Sequence, residues 1–430
     1  MEIFNGGLKI DSSDHISAEK IGRTVACIFS PKTNKNPLVV VGHDGGASAV
    51  SIYDSVCRGI SSAGVVAEKS GILIPPAVSY LTCTHNAGAG IMITSDADGK
   101  YCEMRLYSDK GFKTGHEILE EIKRIVTGTA EEFSRRIRTG KGGVVVCENA
   151  VEEYIGFIKR TIRNSFEGMK IAVRCPDGND DIAVKIFREL GTEVQIMPEN
   201  NNYFTGSVSC CCGFIFGNHC ESCTVTDEKN VTLDNDRLSA VFAKFFKENN
   251  LLKNNTFVVT YRAGYGFMRF AEENDITVVT AGFDEKSVIT KMMTGGYSIG
   301  TDNMGRIIFP EELPTGDGFI TAVKLLSIMK SKNMPLSEIA DMKHYSQVTL
   351  EVDIPPEFRE IWKNDCVITE HIADYIHLFG NRAKLSVHEN PEKSSIRITA
   401  EGMDYNDINE AVGSIAGKIR ERIAWKENLL

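Results

Sequence analysis

The segment VVVGHDGGASAVSIYDSVCRGISSAGVVAEKSGILIPPAVSYLTCTHNAGAGIMITS, residues 39–95, decides the fold. It opens on the β-branched run Val39 to Gly42, which reads as a strand, and Ala47 to Ser62 follows with apolar residues at helical spacing. Val65 to Ile74 returns to strand character, Pro76 to Asn86 reads as a second helix, and Ile91 to Ile93 as another strand. This βαβα rhythm predicts a parallel or mixed sheet covered by helices.

The rhythm restarts twice further along. Lys170 to Val173, Asp180 to Leu190 and Thr192 to Ile196 read as strand, helix and strand. Phe257 to Tyr261, Gly264 to Asn274 and Ile276 to Thr280 repeat the pattern, and the helix Phe319 to Lys330 is expected to close that third unit. From about Ser346 the pattern changes to alternating strands (Val348 to Val352, Lys384 to Val387, Ser395 to Thr399) with helices Val367 to His377 and Ile408 to Arg422. The expected organisation is three consecutive α/β domains, 1–147, 148–250 and 251–345, followed by a small α+β domain at 346–430.

The chain has 430 residues, 42% of them hydrophobic and 25% charged, with a formal net charge of -10. These values fit a folded, mildly acidic, multi-domain protein; with no basic block, they argue against a general nucleic-acid or anionic-membrane surface. No run of 18 apolar residues and no cationic-then-apolar leader occurs, so neither a membrane span nor a signal peptide is expected, and a cytoplasmic location is. Several of the twelve cysteines (Cys27, Cys57, Cys147, Cys366) lie in apolar runs, where a reduced thiol packs as a small hydrophobe; no disulfide framework is expected.

The domain layout, together with Val39 to Gly42, Ser61 to Gly64, Pro75 to Thr82, Ala89 to Ile93, Lys110 to Lys113, Phe187 to Gly191 and Thr315 to Gly318 in order along the chain, resembles the α-D-phosphohexomutases, most closely the bacterial phosphoglucosamine mutases. The resemblance implies four loops, one per domain, meeting in a central cleft. There an active-site phosphoserine exchanges a phosphoryl group with a hexose phosphate, assisted by Mg²⁺.

Each loop departs from the family pattern. The nucleophile loop, T/S-A-S-H-N-P in the family, is Thr94-Ser95-Asp96-Ala97-Asp98-Gly99 here, with Asp96 in the serine's place and Ser95 one residue before it. Asp96 is open to three readings: a plain loop residue, a fixed negative charge standing in for phosphoserine, or a nucleophile that forms an acyl phosphate. The metal loop, D-G-D-G-D-R in the family, is Gly217-Asn218-His219-Cys220-Glu221-Ser222, which keeps one carboxylate and predicts no octahedral oxygen site. The surrounding Cys210, Cys211, Cys212, His219, Cys220 and Cys223 leave Zn²⁺ as an alternative there, although neighbouring strand residues point to opposite faces.

The family's sugar loop, G-E-x-S-G-H, appears as Gly300 to Arg306, with Asp302 for the glutamate and Met304 for the serine. Its phosphate cradle, R-P-S-G-T-E-P, appears as His388 to Ser394, where Glu389 and Glu392 oppose a dianion and Pro391 removes an amide donor. Near the N-terminus Lys9 replaces an arginine of the family pattern, and His43 replaces another at Gly42 to Gly46. The residues expected to contact a sugar phosphate are therefore Asp302, Arg306, His388, Lys393 and Lys9.

These losses predict a non-catalytic phosphohexomutase-like protein with no cofactor, in which the first domain contacts a second copy or an active mutase and a sugar phosphate is the candidate ligand. The alternative is an active isomerase using Asp96 or Ser95, with Glu221, His219 and Asp302 around a metal, Mg²⁺ being the family's.

Overall fold

The structure is a computed structural model that describes residues 1–4, 6–29, 37–137, 139–175, 180–198, 210–343, 345–359, 361–390 and 393–427. Pro391 and Glu392 of the fourth loop, and Asn5, lie outside the described residues.

The segment that decides the fold forms the centre of a seven-stranded mixed sheet. Leu38–His43 lies between Val66–Ile72 and Ala89–Ser95, parallel to both, and Tyr101–Ser108 pairs antiparallel with Ala89–Ser95. Val39, Val40 and Val41 are fully buried because helices cover both faces, as expected for a strand that reads as a continuous apolar run. The helix Ala47–Ser62 spans the predicted residues and turns Ile52, Val56 and Ile60 inward.

Three further sheets follow in chain order. Lys170–Arg174 runs parallel to Cys212–Phe216 in a five-stranded sheet, and Thr256–Thr260 runs parallel to Thr277–Ala281 in a four-stranded one. Ser346–Asp353, Ser395–Gly402 and Ala383–Asn390 form a three-stranded antiparallel sheet packed on the helix Tyr405–Glu427. The architecture is three α/β units followed by a small α+β unit.

Parallel strands place loops at their carboxyl ends, outside the helices, where α/β proteins build their sites. Ser95, the turn after Phe216 and the turn after Thr301 all occupy such ends. One continuous apolar cluster joins the first three units, from Val40 and Val78 through Phe187 and Phe214 to Phe257 and Phe309, whereas the fourth has its own core around Trp362, Ile398 and Ile415.

Two helices pack differently from expectation. Gly318–Lys332, expected to close the third unit, packs on the second: Phe319 is fully buried, stacks on Phe216 at 4.3 Å and lies 6.1 Å from Phe187. Asn235–Glu248, placed with the second unit by its sequence position, packs against Tyr265–Glu273 of the third, with Phe242 edge-on to Phe309. Periodicity specifies a buried face but not the sheet that covers it. Gly318 permits the crossing, because a Cβ there would lie 2.8 Å from the Ser222 carbonyl.

Truncating Phe319 to alanine opens a cavity under the second sheet. The expected loss is about 3–5 kcal/mol in urea unfolding, whereas Met304→Ala, at an exposed position, leaves stability within about 0.5 kcal/mol.

Candidate functional site

Residues from three loops meet in one buried ionic cluster. Glu221 Oε2 accepts from Lys113 Nζ at 2.7 Å and from Arg306 Nη1 at 2.7 Å. Lys113 also reaches Glu285 Oε2 at 2.6 Å, and Arg306 lies 3.2 Å from the same oxygen. Asp302 receives Arg306 through both Nε and Nη2 at 2.7 Å, and its Oδ1 accepts the amides of Met304 and Arg306. Glu285 Oε1 takes the Thr315 hydroxyl and the Gly316 amide, which ties the cluster to the turn before the long helix.

Burial pushes the Glu221 carboxyl up, but Lys113, Arg306 and Arg105 overcome it and hold the group well below the usual carboxylate range. Glu285 is set low by the same balance, with burial opposed by Lys113 and Arg306. His219, in the same loop, is driven down to about 4 by burial and then by Arg105, so it is neutral. Its backbone and that of Cys220 are left-handed, at φ 74° and 57°.

At the first loop, Ser95 and Asp96 have separate tasks. The Ser95 amide donates to Asp44 Oδ2 at 2.7 Å, and the Ser95 hydroxyl accepts the Ala49 amide at 3.1 Å in the first turn of Ala47–Ser62. That hydroxyl lies 3.5 Å from Asp44 Oδ1. Asp96 instead closes the following turn by accepting the Tyr101 amide at 3.0 Å, and Lys9 stands 4.0 Å from its other oxygen and 4.7 Å above the Tyr101 ring. His43 is buried, accepts the Gly45 amide on Nδ1 and packs on Tyr53, so it does not replace an arginine in the cleft.

The fourth loop is shorter than its sequence suggests, because strand pairing runs through Asn390↔Ser395. His388 is therefore a strand residue directly opposite Arg397, while Ser386 faces Thr399 and Lys384 faces Glu401. This polar sheet face and the turn Tyr261 to Gly264 of the third unit enclose a cleft of about 200 Å³ lined by Arg262, Lys384, His388 and Arg397. Glu389, expected to repel a phosphate, is paired with Arg359 at 2.5 Å, and Lys393, expected to bind one, lies 3.7 Å from Glu351 and is largely exposed.

Two stretches of the chain match a known family. Residues 8–133 match the family described as phosphoglucomutase/phosphomannomutase, alpha/beta/alpha domain I, and residues 234–345 match domain III of the same family. The phosphoglucosamine mutase of Thermoanaerobacter sp. (strain X514) is 30% identical over 94% of this chain and 95% of its own length. The chain belongs to the phosphohexomutase superfamily. The phosphoglucosamine mutase of Clostridium perfringens is 28% identical over the same shares. Among solved structures, a Burkholderia thailandensis phosphoglucomutase/phosphomannomutase family protein superposes with a TM-score of 0.77 at 14% identity, covering 97% of this chain and 96% of that one. An Aspergillus fumigatus N-acetylphosphoglucosamine mutase, solved with GlcNAc-6P and magnesium, gives 0.64 at 12% identity, covering 98% and 96%.

The residues at the metal-loop position do not fit Mg²⁺. Gly217 offers no side-chain ligand, His219 is a nitrogen donor, and Glu221 is held by two cations; its remaining oxygen, Oε1, is buried without a hydrogen-bond partner and sits in the field of Arg105. Nor do Cys210 to Cys223 supply a metal group: among the described residues, the group of three metal-ligating types that converges lies elsewhere, at Glu68, His85 and Cys147.

Of the expected site residues, the structure gathers Glu221, Asp302 and Arg306 into the ionic cluster, pairs Lys9 loosely with Asp96, keeps His388 in a basic cleft and leaves Lys393 outside it. Sequence reasoning missed Lys113, Glu285, Arg262 and Lys384, and used Arg397 only to fix the alignment of the fourth loop. Arg262 carried a usable signal, because it lies two residues past a strand end on the loop side of a parallel sheet.

The ionic cluster has a pH signature. Glu221 and Glu285 ionise more readily folded than unfolded, so their contribution is full above about pH 4.5, the ordinary carboxyl value, and is lost as pH falls through their lower folded values. Arg306→Gln removes one of the cations that lowers them. It is expected to cost about 3–5 kcal/mol at neutral pH and to raise the midpoint of acid unfolding, both read by circular dichroism.

Proposed function

We propose that this chain is a phosphohexomutase-fold protein that binds a sugar phosphate without the metal-assisted phosphoryl transfer of its relatives. One observation carries the proposal: the only carboxylate left in the metal loop, Glu221, is a partner of Lys113 and Arg306. A divalent cation at this loop meets fixed positive charge, and phosphoryl transfer loses the ion that offsets the charge on the transferring oxygens. The cleft between the third and fourth units supports ligand binding, since Arg262 lines it together with Arg397, paired on one side with Glu351, and Lys384, held by the Tyr261 and Ala263 carbonyls, next to His388 and Glu401.

The proposal predicts no isomerisation of glucosamine 6-phosphate or glucose 6-phosphate in a coupled assay with Mg²⁺. It also predicts a rise in Tm with hexose phosphates that disappears in Arg262→Ala together with Arg397→Ala. Absence of any shift with hexose mono- and bisphosphates overturns the binding half.

A second reading is favoured by Ser95. The relatives named phosphoglucosamine mutase align along nearly the whole chain, and the Ser95 hydroxyl combines a helix-amide donor with the nearby Asp44 carboxylate. Such a serine can take a phosphoryl group from a hexose bisphosphate: the sugar-side P–O bond breaks, an Oγ–P bond forms, the hydroxyl proton passes to Asp44, and the leaving sugar oxygen takes a proton from solvent. Incubation with glucose 1,6-bisphosphate followed by mass spectrometry tests this reading. A phosphoryl adduct on Ser95, together with turnover abolished by Ser95→Ala, establishes it and displaces the first.

A further inference from the structure

A second group of reactive side chains lies away from the cleft, where the first unit meets the helix that leads into the second. Glu68 is on the strand Val66–Ile72, His85 caps the C-terminus of the helix Pro75–Thr84, Cys147 follows the strand Val144–Val146, and Glu153 is on the helix Ala150–Arg160. The apolar run containing Cys147 suggests simple packing, but the fold sets its thiol among polar groups. Glu68, His85 and Cys147 each bring one ligand atom within 4.8 Å of the other two.

The imidazole is fixed from both sides. Its Nδ1 lies 2.8 Å from Glu68 Oε1 and its Nε2 lies 2.9 Å from Glu153 Oε2, while Cys147 Sγ is 3.9 Å from Glu153 Oε1. Glu68 is buried, and His85 and Cys147 are half-buried.

We propose that Glu68, His85 and Cys147 form a Zn²⁺ site, with Glu153 orienting the imidazole through its other ring nitrogen. One oxygen, one nitrogen and one sulfur donor make a borderline-soft set that suits Zn²⁺ and disfavours Mg²⁺ or Ca²⁺, which take oxygen ligands. A carboxylate on the non-ligating nitrogen is the usual outer partner of a zinc-bound histidine, where it fixes the tautomer and the ring plane. Because the ligand atoms already lie within 4.8 Å, small side-chain movements bring them to zinc-ligand separations, and solvent completes a tetrahedron.

On binding, the ion takes the place of the proton shared between His85 and Glu68, and that proton and the Cys147 thiol proton both pass to solvent, so affinity falls in acid. No redox change is involved. The three ligands come from segments 79 residues of chain apart at most, between Glu68 and Cys147, so the ion ties the edge of the first sheet to the entry of the second unit.

The test uses the full chain, stripped with a chelator and titrated with Zn²⁺ or Co²⁺. Expected are uptake of about one equivalent of Zn²⁺, a Tm that rises with Zn²⁺, and for Co²⁺ a thiolate charge-transfer absorption. Cys147→Ser, a near-isosteric change, is expected to abolish that absorption, and Cys211→Ser to leave it intact. If Cys147→Ser fails to fold by circular dichroism, His85→Gln provides the same reading through lost uptake. Uptake below about 0.2 equivalents by the unaltered chain, or absorption that survives the loss of Cys147, overturns the proposal.

Discussion

The contact on which the arrangement depends is the pair of cations, Lys113 and Arg306, shared between Glu221 and Glu285. Lys113 comes from the first unit, Glu221 from the second, and Glu285 and Arg306 from the third, so one buried cluster fixes three units at a single point. At an effective dielectric of 20, two unit charges 4 Å apart attract by about 4 kcal/mol, but removing each ion from water costs several kcal/mol. The net gain is therefore small and the geometric consequence large: any other register of the three units leaves buried charge unpaired. Bulk stability comes from the apolar cluster beneath, where Phe187, Phe216 and Phe319 stack across the second sheet and the long helix.

The same cluster determines what the cleft can do. An active phosphohexomutase leaves carboxylates free for a metal and cations free for phosphate; here Lys113 and Arg306 are engaged with Glu221, Glu285 and Asp302. A ligand entering at this point has to break contacts of 2.6–2.7 Å before it gains any. The cleft at the border of units three and four is lined by Arg262 together with Arg397, which Glu351 holds from one side, and Lys384, which reaches the Tyr261 carbonyl, so the proposed centre of binding lies there rather than at the three loops. The paired state of Glu389 removes the electrostatic objection that its position in the sequence raised.

The sheets were legible in the sequence because periodicity is local: Val39 to Gly42, Ala47 to Ser62 and Ile91 to Ile93 carry their own signal and fold as read. The ionic cluster was not, since Lys113 and Glu285 are 172 residues apart and neither lies in a loop that the family pattern marks for chemistry. Lys113 was visible only as the last residue of a framework string. The hairpin through Asn390 and Ser395 was hidden for a different reason: Pro and Glu residues in His388 to Ser394 read as a loop, while strand pairing with Ser395–Gly402 extends through Asn390. The helix Gly318–Lys332 reads correctly as a helix closing the third unit, yet it packs on the second sheet, because its apolar faces fit either.

How the units are joined determines where a ligand can produce movement. The first three share a core and the ionic cluster, whereas the fourth has a separate core and meets the third through a few polar contacts. Glu401 accepts the Tyr265 and Gly266 amides at the start of the helix Tyr265–Glu273, the Tyr265 hydroxyl reaches the Asn381 carbonyl, and Lys384 reaches the Tyr261 carbonyl. A carboxylate at that helix start already satisfies its free amides and its positive end, so the helix itself offers an incoming phosphate little. The attraction must come from Arg262 on one side of the cleft and Arg397 with His388 on the other. In the proposed complex, a dianion between them draws the fourth unit toward the third, and a small polar border between separate cores is where such a hinge costs least.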